Sequence, residues 1–177
     1  MTKKIPGLTF RQATAQDSAL ILHFIKKLAE YEHLLPEVEA TEEILTEWIF
    51  RRHTANVLFP EIDGHPVGFA LYFYNFSTFT GRAGLYLEDF FVLPEHRGRG
   101  IGKATLFHLA AEAYRSGCGR MEWVCLDWNR SSIDFYRSLG AIPMDDWTIY
   151  RLTRPRLRLI AEENCPGAAT PSAKSRD

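Results

Sequence analysis

The sequence predicts an α/β domain in which helices flank a mixed sheet, with the element order βααβββαβαβ. Segments rich in β-branched and aromatic residues alternate with segments whose apolar residues recur at helical spacing. Near the middle of the chain, one strand runs into a bend rich in glycine and arginine and then into a helix, which indicates a βαβ unit. The length of 177 residues suits a single domain with a substantial core.

The first elements are one strand and two helices. Residues 8–14 are β-prone, and Asp17 then opens a helix. A second helix begins at Thr41, because Glu42 and Glu43 follow as a favourable acidic first turn. The apolar positions expected to face the core are Ile21, Phe24, Ile25 and Leu28 in the first helix, and Ile44, Leu45, Trp48 and Ile49 in the second.

A hairpin and the central strand come next. One strand is predicted near 55–62, a turn at Asp63-Gly64, and an aromatic strand over 66–76. After a polar connection, GLYLEDFFVL at 84–93 forms a further strand that leads into the bend.

The last elements follow the bend. A helix with one apolar face ends at SGCG, and MEWVCLDW at 121–128 is then a strand. A short helix begins at Ser131 or Ser132 and ends at Gly140. WTIYRL at 147–152 is predicted as the final strand.

Composition limits the classes of function. We expect one domain over 1–154 and a mobile tail over 155–177, where periodicity is lost and small residues dominate. A formal net charge of −1 gives no reason to expect a nucleic-acid partner, and no apolar run approaches the ~20 residues of a membrane span. The three cysteines form no CxxC pair, which favours a reducing cytoplasm. The six histidines show no ligand spacing, so we expect no metal.

The Gly-rich bend does not match two common phosphate-binding motifs. A P-loop requires GxxxxGK[ST], but Arg97 stands at the first glycine and Ala104 at the hydroxyl position. A dinucleotide fingerprint requires GxGxxG, and Lys103 stands where the third glycine belongs. Both interpretations are therefore disfavoured.

The third interpretation is an RxxGxG bend formed by Arg97, Gly100 and Gly102. Glycines let the backbone come close to a ligand, and consecutive N–H groups at a helix start bind anions. Arg99 and Lys103 add positive charge, which suits a pyrophosphate. The alternative is a tight strand-to-helix turn with solvated basic residues.

RxxGxG between a strand and a helix resembles the acetyl-CoA signature of the GNAT-type N-acetyltransferases. YLEDFFVLPEHRGRGIG, DWNRSSIDFYRSLGA and DWTIYRL are similar to the diamine (spermidine/spermine) and thialysine acetyltransferases of that family, as are FRQATAQD and LAEYEHL. The resemblance covers roughly residues 8–153. It implies a twisted, mostly antiparallel mixed sheet, acetyl-CoA as co-substrate and a homodimer.

The resemblance also assigns residues. Tyr136 corresponds to the general acid, and Glu88 corresponds to a general base that often acts through water. On the substrate side the resemblance implies Glu88 and Trp147. We add Asp89 as the neighbour of Glu88, and Glu32 from an acidic loop that either attracts cations or is a solvated face. The acetyl-CoA side comprises Phe90, Phe91, Val92, Arg97, Gly98, Arg99, Gly100, Ile101, Gly102, Lys103, Asn129, Ser132 and Tyr136.

Several of these residues have a structural alternative. Tyr136 beside Phe135 is also compatible with ordinary packing, Asn129 with a helix cap, and Trp147 with a core position. Glu88 and Asp89 are adjacent on a strand, so we expect them on opposite faces, one of them as a surface or dimer-contact charge.

The implied chemistry requires these residue types. A lysine-like amine has a pKa of about 10.4, so a carboxylate must bind the ammonium and accept its proton before the nitrogen can attack the thioester. A backbone N–H can stabilise the developing oxyanion. The departing thiolate belongs to a thiol with a pKa of about 8.5, whereas a tyrosine phenol has a pKa of about 10, so Tyr136 needs an environment that reduces this difference.

The acceptor amine is the least determined part of the function. Thr78 stands where the polyamine-acetylating relatives carry an acidic residue, and STFTGR resembles the thialysine branch. We therefore expect a thialysine- or lysine-like amino acid first and a diamine or polyamine second. Two alternatives are an acyl-CoA-binding sensor without turnover and a protein-lysine acetyltransferase.

Overall fold

The computed structural model describes residues 4–165. The chain divides into two compact units, of which the first ends at Leu126 and the second begins at Asp127. The domain boundary predicted after residue 154 falls within the second unit, at the first residue of a helix.

The first unit is built on a six-stranded mixed sheet, as predicted. Its strands are β1 (Leu8–Gln12), β2 (Asn56–Ile62), β3 (His65–Pro66), β4 (Gly68–Ser77), β5 (Arg82–Val92) and β6 (Arg120–Trp123). The order across the sheet is β1-β2-β4-β5-β6, and β3 pairs with β2. All neighbouring strands are antiparallel except β5 and β6, which are parallel.

In the described part of this unit, three short 3₁₀ helices (Ala15–Asp17, Leu35–Glu37 and Pro94–His96) accompany three α-helices. The α-helices are α1 (Ser18–Tyr31), α2 (Glu42–Leu45), which continues as a π-helical segment (Thr46–Arg51), and α3 (Ile101–Arg115). Asp17 is the N-cap of α1, and the Thr41 hydroxyl accepts a hydrogen bond from the Ile44 N–H at 3.3 Å, so both predicted helix starts are confirmed. The turn at Asp63-Gly64 is also confirmed, with both residues at positive φ.

The core lies mainly between the sheet and the helices α1 and α2. This cluster contains Ile21, Phe24, Leu45, Ile49, Val57, Phe59, Phe69 and Phe91. A smaller cluster of Val67, Val92 and Ile101 lies where β5 leads to α3. The residues before and after the bend, Val92 and Ile101, are therefore both held by packing in this cluster.

The predicted burial of Ile44 and Trp48 is wrong, because their exposed fractions are 48% and 49%. The π-helical segment has a wider turn, as the Arg52 N–H bonds the Glu47 carbonyl five residues back. Leu45 and Ile49 keep the core-facing positions, while the Trp48 ring lies 4.4 Å from the guanidinium carbon of Arg52.

The second unit contains α4 (Arg130–Ser138) and α5 (Arg154–Asn164). α4 begins one or two residues before the serines predicted to start it, and Gly140 follows its end at φ 87°. α5 lies in part of the tail predicted to be mobile, and residues 166–177 lie outside the described range.

Two strand predictions need correction. The strand predicted over 121–128 ends at Trp123, and residues 147–152 form no strand. A β-prone segment becomes a strand only by pairing, and in the described part of the second unit there is no strand for 147–152 to pair with. Among residues 4–165, no helix is long and apolar enough to cross a membrane.

Candidate functional site

Strands β5 and β6 pair only over a short stretch. Gly84–Leu87 of β5 lies against Arg120–Trp123 of β6. On its other side, β5 pairs with β4 from Arg82 to Val92, with the single exception of Glu88. From Glu88 to Val92, no described strand lies on the β6 side of β5. An unpaired strand edge presents N–H and C=O groups that an extended ligand can bind. Phe90, Phe91 and Val92 lie on this stretch.

The Gly-rich bend follows directly at the end of β5. Gly98 and Gly100 have φ values of 71° and 82°, a conformation that favours glycine. α3 then begins at Ile101, so the N–H groups of Ile101, Gly102 and Lys103 lie in its first turn and have no partner within the helix. The next N–H, of Ala104, bonds the Gly100 carbonyl at 2.9 Å. This arrangement suits a phosphate group.

The basic side chains of the bend have different surroundings. Arg97 Nε donates to the Val92 carbonyl at 2.8 Å, so this side chain is directed back onto β5. Arg99 Nη1 lies 3.2 Å from His96 Nδ1, and Lys103 Nζ lies 5.5 Å from the centre of the Phe107 ring.

Gly102 has a different structural status from Gly100. A Cβ atom at Gly102 would lie 3.5 Å from the Phe90 ring, an ordinary van der Waals distance, and Gly102 is not at positive φ. The protein itself therefore tolerates a side chain at Gly102. Gly100 needs its glycine because of its backbone conformation.

Glu88 lies at a β-bulge. Leu87 pairs with Tyr72 and Asp89 pairs with Leu71, so Glu88 is the extra residue with no partner on β4. Leu71 and Tyr72 are neighbours on β4 and point to opposite faces, so Leu87 and Asp89 also lie on opposite faces although they are two residues apart. The bulge interrupts the simple alternation from which opposite faces were predicted for Glu88 and Asp89, so the register does not assign a face to Glu88 and that expectation stays a prediction.

Carboxylates interact at the start of the open edge, where Glu88 and Asp89 are adjacent and the charge of Glu32 also acts on Asp89. Burial, then the charges of Glu88 and Glu32, raise the pKa of Asp89 to about 6. Burial also raises the pKa of Glu32, which follows the last residue of α1. These three groups form the carboxylate cluster (Glu32, Glu88, Asp89), which favours a cation beside β5.

The remaining predicted residues belong to the second unit. The Asn129 side chain accepts the Ser132 N–H at 3.4 Å, so Asn129 caps α4. Tyr136 lies on α4 with its ring 5.5 Å from that of Phe135. Trp147 lies in an irregular segment, where its N–H bonds the Met144 carbonyl at 3.1 Å.

Sequence reasoning missed two features of this region. The first is Tyr31, whose ring lies 4.6 Å from the Arg97 guanidinium carbon; no spacing pattern signals this contact. The second is the bulge. Its signal is the break in alternation at LEDFF, where two charged residues separate Leu87 from two consecutive aromatic residues.

The chain is similar to known acetyltransferases. A family model described as the Acetyltransferase (GNAT) family matches residues 22–141. A thialysine N-epsilon-acetyltransferase from Sus scrofa is 37% identical over 167 residues, which are 88% of this chain and 98% of the relative. Spermidine/spermine N(1)-acetyltransferase-like protein 1 from Homo sapiens is 33% identical over 86% of this chain and 24% of that relative.

A solved structure extends the similarity to the fold. An integron cassette protein from the mobile metagenome of V. cholerae superposes with a TM-score of 0.74 at 26% identity, over 88% of this chain and 98% of that chain. The sequence relative and the solved structure thus each cover 88% of this chain.

Proposed function

Because the chain belongs to the GNAT family and is an N-acetyltransferase, we propose that it moves an acetyl group from acetyl-CoA directly to the primary amine of a small molecule. The observation that carries this proposal is the short distance along β5 between an anion-binding bend and the carboxylate cluster. The bulge at Glu88 and the strand end at Val92 bound the open edge that links them.

The residues present fit acetyl-CoA. Its pyrophosphate would be held by the first-turn N–H groups of α3, with Arg99 and Lys103 beside it. The open edge of β5 offers peptide groups for the amides of the pantetheine arm. We add Asn129 and Ser132 to this set because DWNRSS resembles the family motif. When bound, acetyl-CoA supplies an acetyl group already activated as a thioester.

The carboxylate cluster would receive the amine. An ammonium group is attracted to Asp89 and Glu32, whose raised pKa values reflect burial and, at Asp89, uncompensated negative charge. Glu88 is exposed, so it can take up the ammonium proton through water and release it to solvent. The neutral nitrogen is then the nucleophile, and a backbone N–H on the open edge can stabilise negative charge on the acyl oxygen.

We assign the role of general acid to Tyr136. The support for this assignment is the resemblance of DWNRSSIDFYRSLGA to the family's sequences and the position of Tyr136 on α4. Its phenol would donate a proton to the leaving sulfur as the C–S bond breaks, and the second proton that the nitrogen loses on forming the amide would pass through water to restore the phenol.

We propose a thialysine- or lysine-like amino acid as the first candidate acceptor and a diamine or polyamine as the second. The relative named for thialysine is matched over 98% of its length, and that named for spermidine and spermine over 24%. Thr78 in place of an acidic residue supports the same order. We further propose a homodimer, by family resemblance, and a cytoplasmic location, from the cysteine pattern.

CoA release with a panel of amines tests the proposal. The panel contains thialysine, lysine, ornithine, spermidine, putrescine and a lysine-containing peptide, and it is run on the wild type, Tyr136→Phe and the matched control Tyr114→Phe. We expect turnover with a small amine, a decrease of about 10²–10⁴ in kcat for Tyr136→Phe with acetyl-CoA binding retained, and no change for Tyr114→Phe, whose side chain is exposed on α3.

Other outcomes would redirect the assignment. Acetyl-CoA binding without turnover on any amine favours the sensor, and turnover on the peptide alone favours a protein-lysine acetyltransferase. A normal rate for Tyr136→Phe removes Tyr136 from the role of acid.

A further inference from the structure

Arg97 makes contacts that a phosphate ligand does not need. Its Nε donates to the Val92 carbonyl at 2.8 Å, and its guanidinium carbon lies 4.6 Å from the Tyr31 ring and 5.1 Å from the Phe91 ring. The Tyr31 and Phe91 rings are themselves 6.4 Å apart. One side chain of the bend thus contacts both the end of β5 and the last residue of α1.

The contact lies beside the carboxylate cluster. Glu32 follows Tyr31 directly, and its N–H bonds the Leu28 carbonyl at 2.9 Å, as the C-cap of α1. On β5, Asp89 precedes Phe91 by two residues, and both pair with β4 residues of the same face. Tyr31 and Phe91 therefore approach each other next to the place where Glu32 and Asp89 interact.

These neighbouring contacts oppose each other. Glu32 and Asp89 carry like charges and repel, which favours separation of the end of α1 from β5. The Arg97 guanidinium holds the same two elements together through the rings and the Val92 carbonyl. A lysine cannot replace it, because only the planar guanidinium can donate through Nε while it lies against aromatic rings.

We propose that the Arg97 side chain is a positioning residue that holds the end of α1 against β5, so that Glu32 and Asp89 stay close enough to bind one amine. This inference rests on the proposed function. Only the backbone of Arg97 then belongs to the phosphate cradle, while its side chain acts on the amine side through Tyr31.

The first experiment separates this role from phosphate binding. We compare Arg97→Lys with the wild type for the amine KM at saturating acetyl-CoA, and for the Kd of acetyl-CoA and of acetyl-pantetheine, which lacks the pyrophosphate. We expect the amine KM of Arg97→Lys to be about tenfold higher than that of the wild type. The Kd of acetyl-CoA and the Kd of acetyl-pantetheine should change by the same factor as each other. The inference is overturned if the amine KM stays unchanged, or if only the acetyl-CoA Kd rises, as loss of a phosphate ligand requires.

Arg52→Lys is the matched control. Arg52 also lies over an aromatic ring, that of Trp48, but on the π-helical segment and outside the proposed site. We expect its amine KM within about twofold of the wild type, because its contacts with Trp48 and Glu47 do not involve the carboxylate cluster.

A double-mutant cycle tests whether Arg97 acts through Tyr31. Tyr31→Leu removes the ring and should raise the amine KM as Arg97→Lys does, while Arg97→Lys combined with Tyr31→Leu should add little further. Tyr31→Phe keeps the ring, so its amine KM should stay close to that of the wild type. Fully additive increases would show that the two residues act separately and would reject the inference.

Hydrogen exchange gives a readout that needs no turnover. The Glu32 and Leu34 N–H groups bond the Leu28 and Ala29 carbonyls at the end of α1. We expect faster exchange at these amides in Arg97→Lys and unchanged exchange in Arg52→Lys. Unchanged exchange in both variants contradicts the positioning role. If the wild type acetylates no amine, the proposed function fails while this measurement still decides whether Arg97 holds α1.

Discussion

At the scale of single residues, Asp89 shows how its surroundings change the proton affinity of a carboxyl group. Burial is the main cause of its raised pKa, and the charges of Glu88 and Glu32 add to it. The folded protein therefore binds the Asp89 proton more tightly than the unfolded chain does. An amine substrate that pairs with this carboxylate would reverse part of the shift.

Asp89→Asn should stabilise the protein at alkaline pH. The Asp89 pKa rises from 3.8 to about 6, so the favourable contribution of Asp89 is complete below pH 3.8 and is lost as the pH rises through 6. Removing the buried charge should therefore raise the free energy of unfolding at pH 8 by up to about 3 kcal/mol, with no gain near pH 3.5. Urea unfolding at both pH values, with the amine KM in parallel, tests this.

Asp17→Asn is the control of opposite sign. The hydrogen bond from Arg11 lowers the pKa of Asp17 to about 2, so its stabilising contribution is present above pH 3.8 and is lost as the pH falls to 2. The variant should lose about 1.5–3 kcal/mol at neutral pH, the usual value of a hydrogen bond to a charged group. If both variants respond to pH with the same sign, the assignment of these shifts to local contacts is wrong.

At the scale of elements, the bend combines two glycines with different requirements. Gly100→Ala places an L side chain at a φ of 82° and should cost about 1–2 kcal/mol of stability while weakening acetyl-CoA binding. Gly102→Ala meets only an ordinary contact with the Phe90 ring and should leave the stability unchanged or raise it by up to about 1 kcal/mol.

The two alanine variants are compared by urea unfolding and by acetyl-CoA titration. A loss of stability in Gly102→Ala as large as that in Gly100→Ala would mean that close packing, rather than backbone conformation, sets the glycine requirement. A weaker acetyl-CoA affinity in a stable Gly102→Ala would indicate close approach of the ligand to that backbone.

The sequence was informative where the determinants are local. Hydrophobic spacing predicts α1, glycine chemistry predicts the turn at Asp63-Gly64, and the RxxGxG spacing predicts the bend. The bulge at Glu88 could not be derived in this way, because a one-residue insertion is defined by the pairing partner on β4. The same holds for the contact of Arg97 with Tyr31, which joins residues far apart in the chain.

The wrong predictions have different physical causes. The segment 147–152 has strand-like residues, but strand formation depends on a partner that local propensity does not describe. The exposed Trp48 lies in a π-helical segment that a regular helical period does not anticipate, whereas the exposed Ile44 lies in the α-helical turn before it.

At the scale of the whole molecule, binding of the acyl donor should be visible as stability. A ligand at one hundred times its Kd stabilises the folded state by about 2.7 kcal/mol, which corresponds to a rise in Tm of about 5–10 °C for a chain of this size. We expect this rise with acetyl-CoA and a smaller one with acetyl-pantetheine at the same concentration, since the bend should recognise phosphates. ATP with Mg²⁺ should have little effect.

This thermal-shift series also tests the interpretation of the Gly-rich motif. A larger rise in Tm with ATP and Mg²⁺ than with acetyl-CoA would support the P-loop interpretation, which was disfavoured because Arg97 and Ala104 break the motif. Added salt should reduce the acetyl-CoA effect, because Arg99 and Lys103 are charged groups at the surface of the bend.

The end of β5–β6 pairing at Leu87 has a consequence for the protein when no acyl donor is bound. Residues 89–92 (DFFV) pair with β4 on one side and have no described strand on the β6 side. Unpaired apolar strand edges are common sites of aggregation. If the acyl donor lies along this edge, it finishes the sheet as a missing strand would. The cellular supply of acetyl-CoA would then protect the enzyme as well as feed it, and a cell starved of the donor would hold the protein in its most aggregation-prone form.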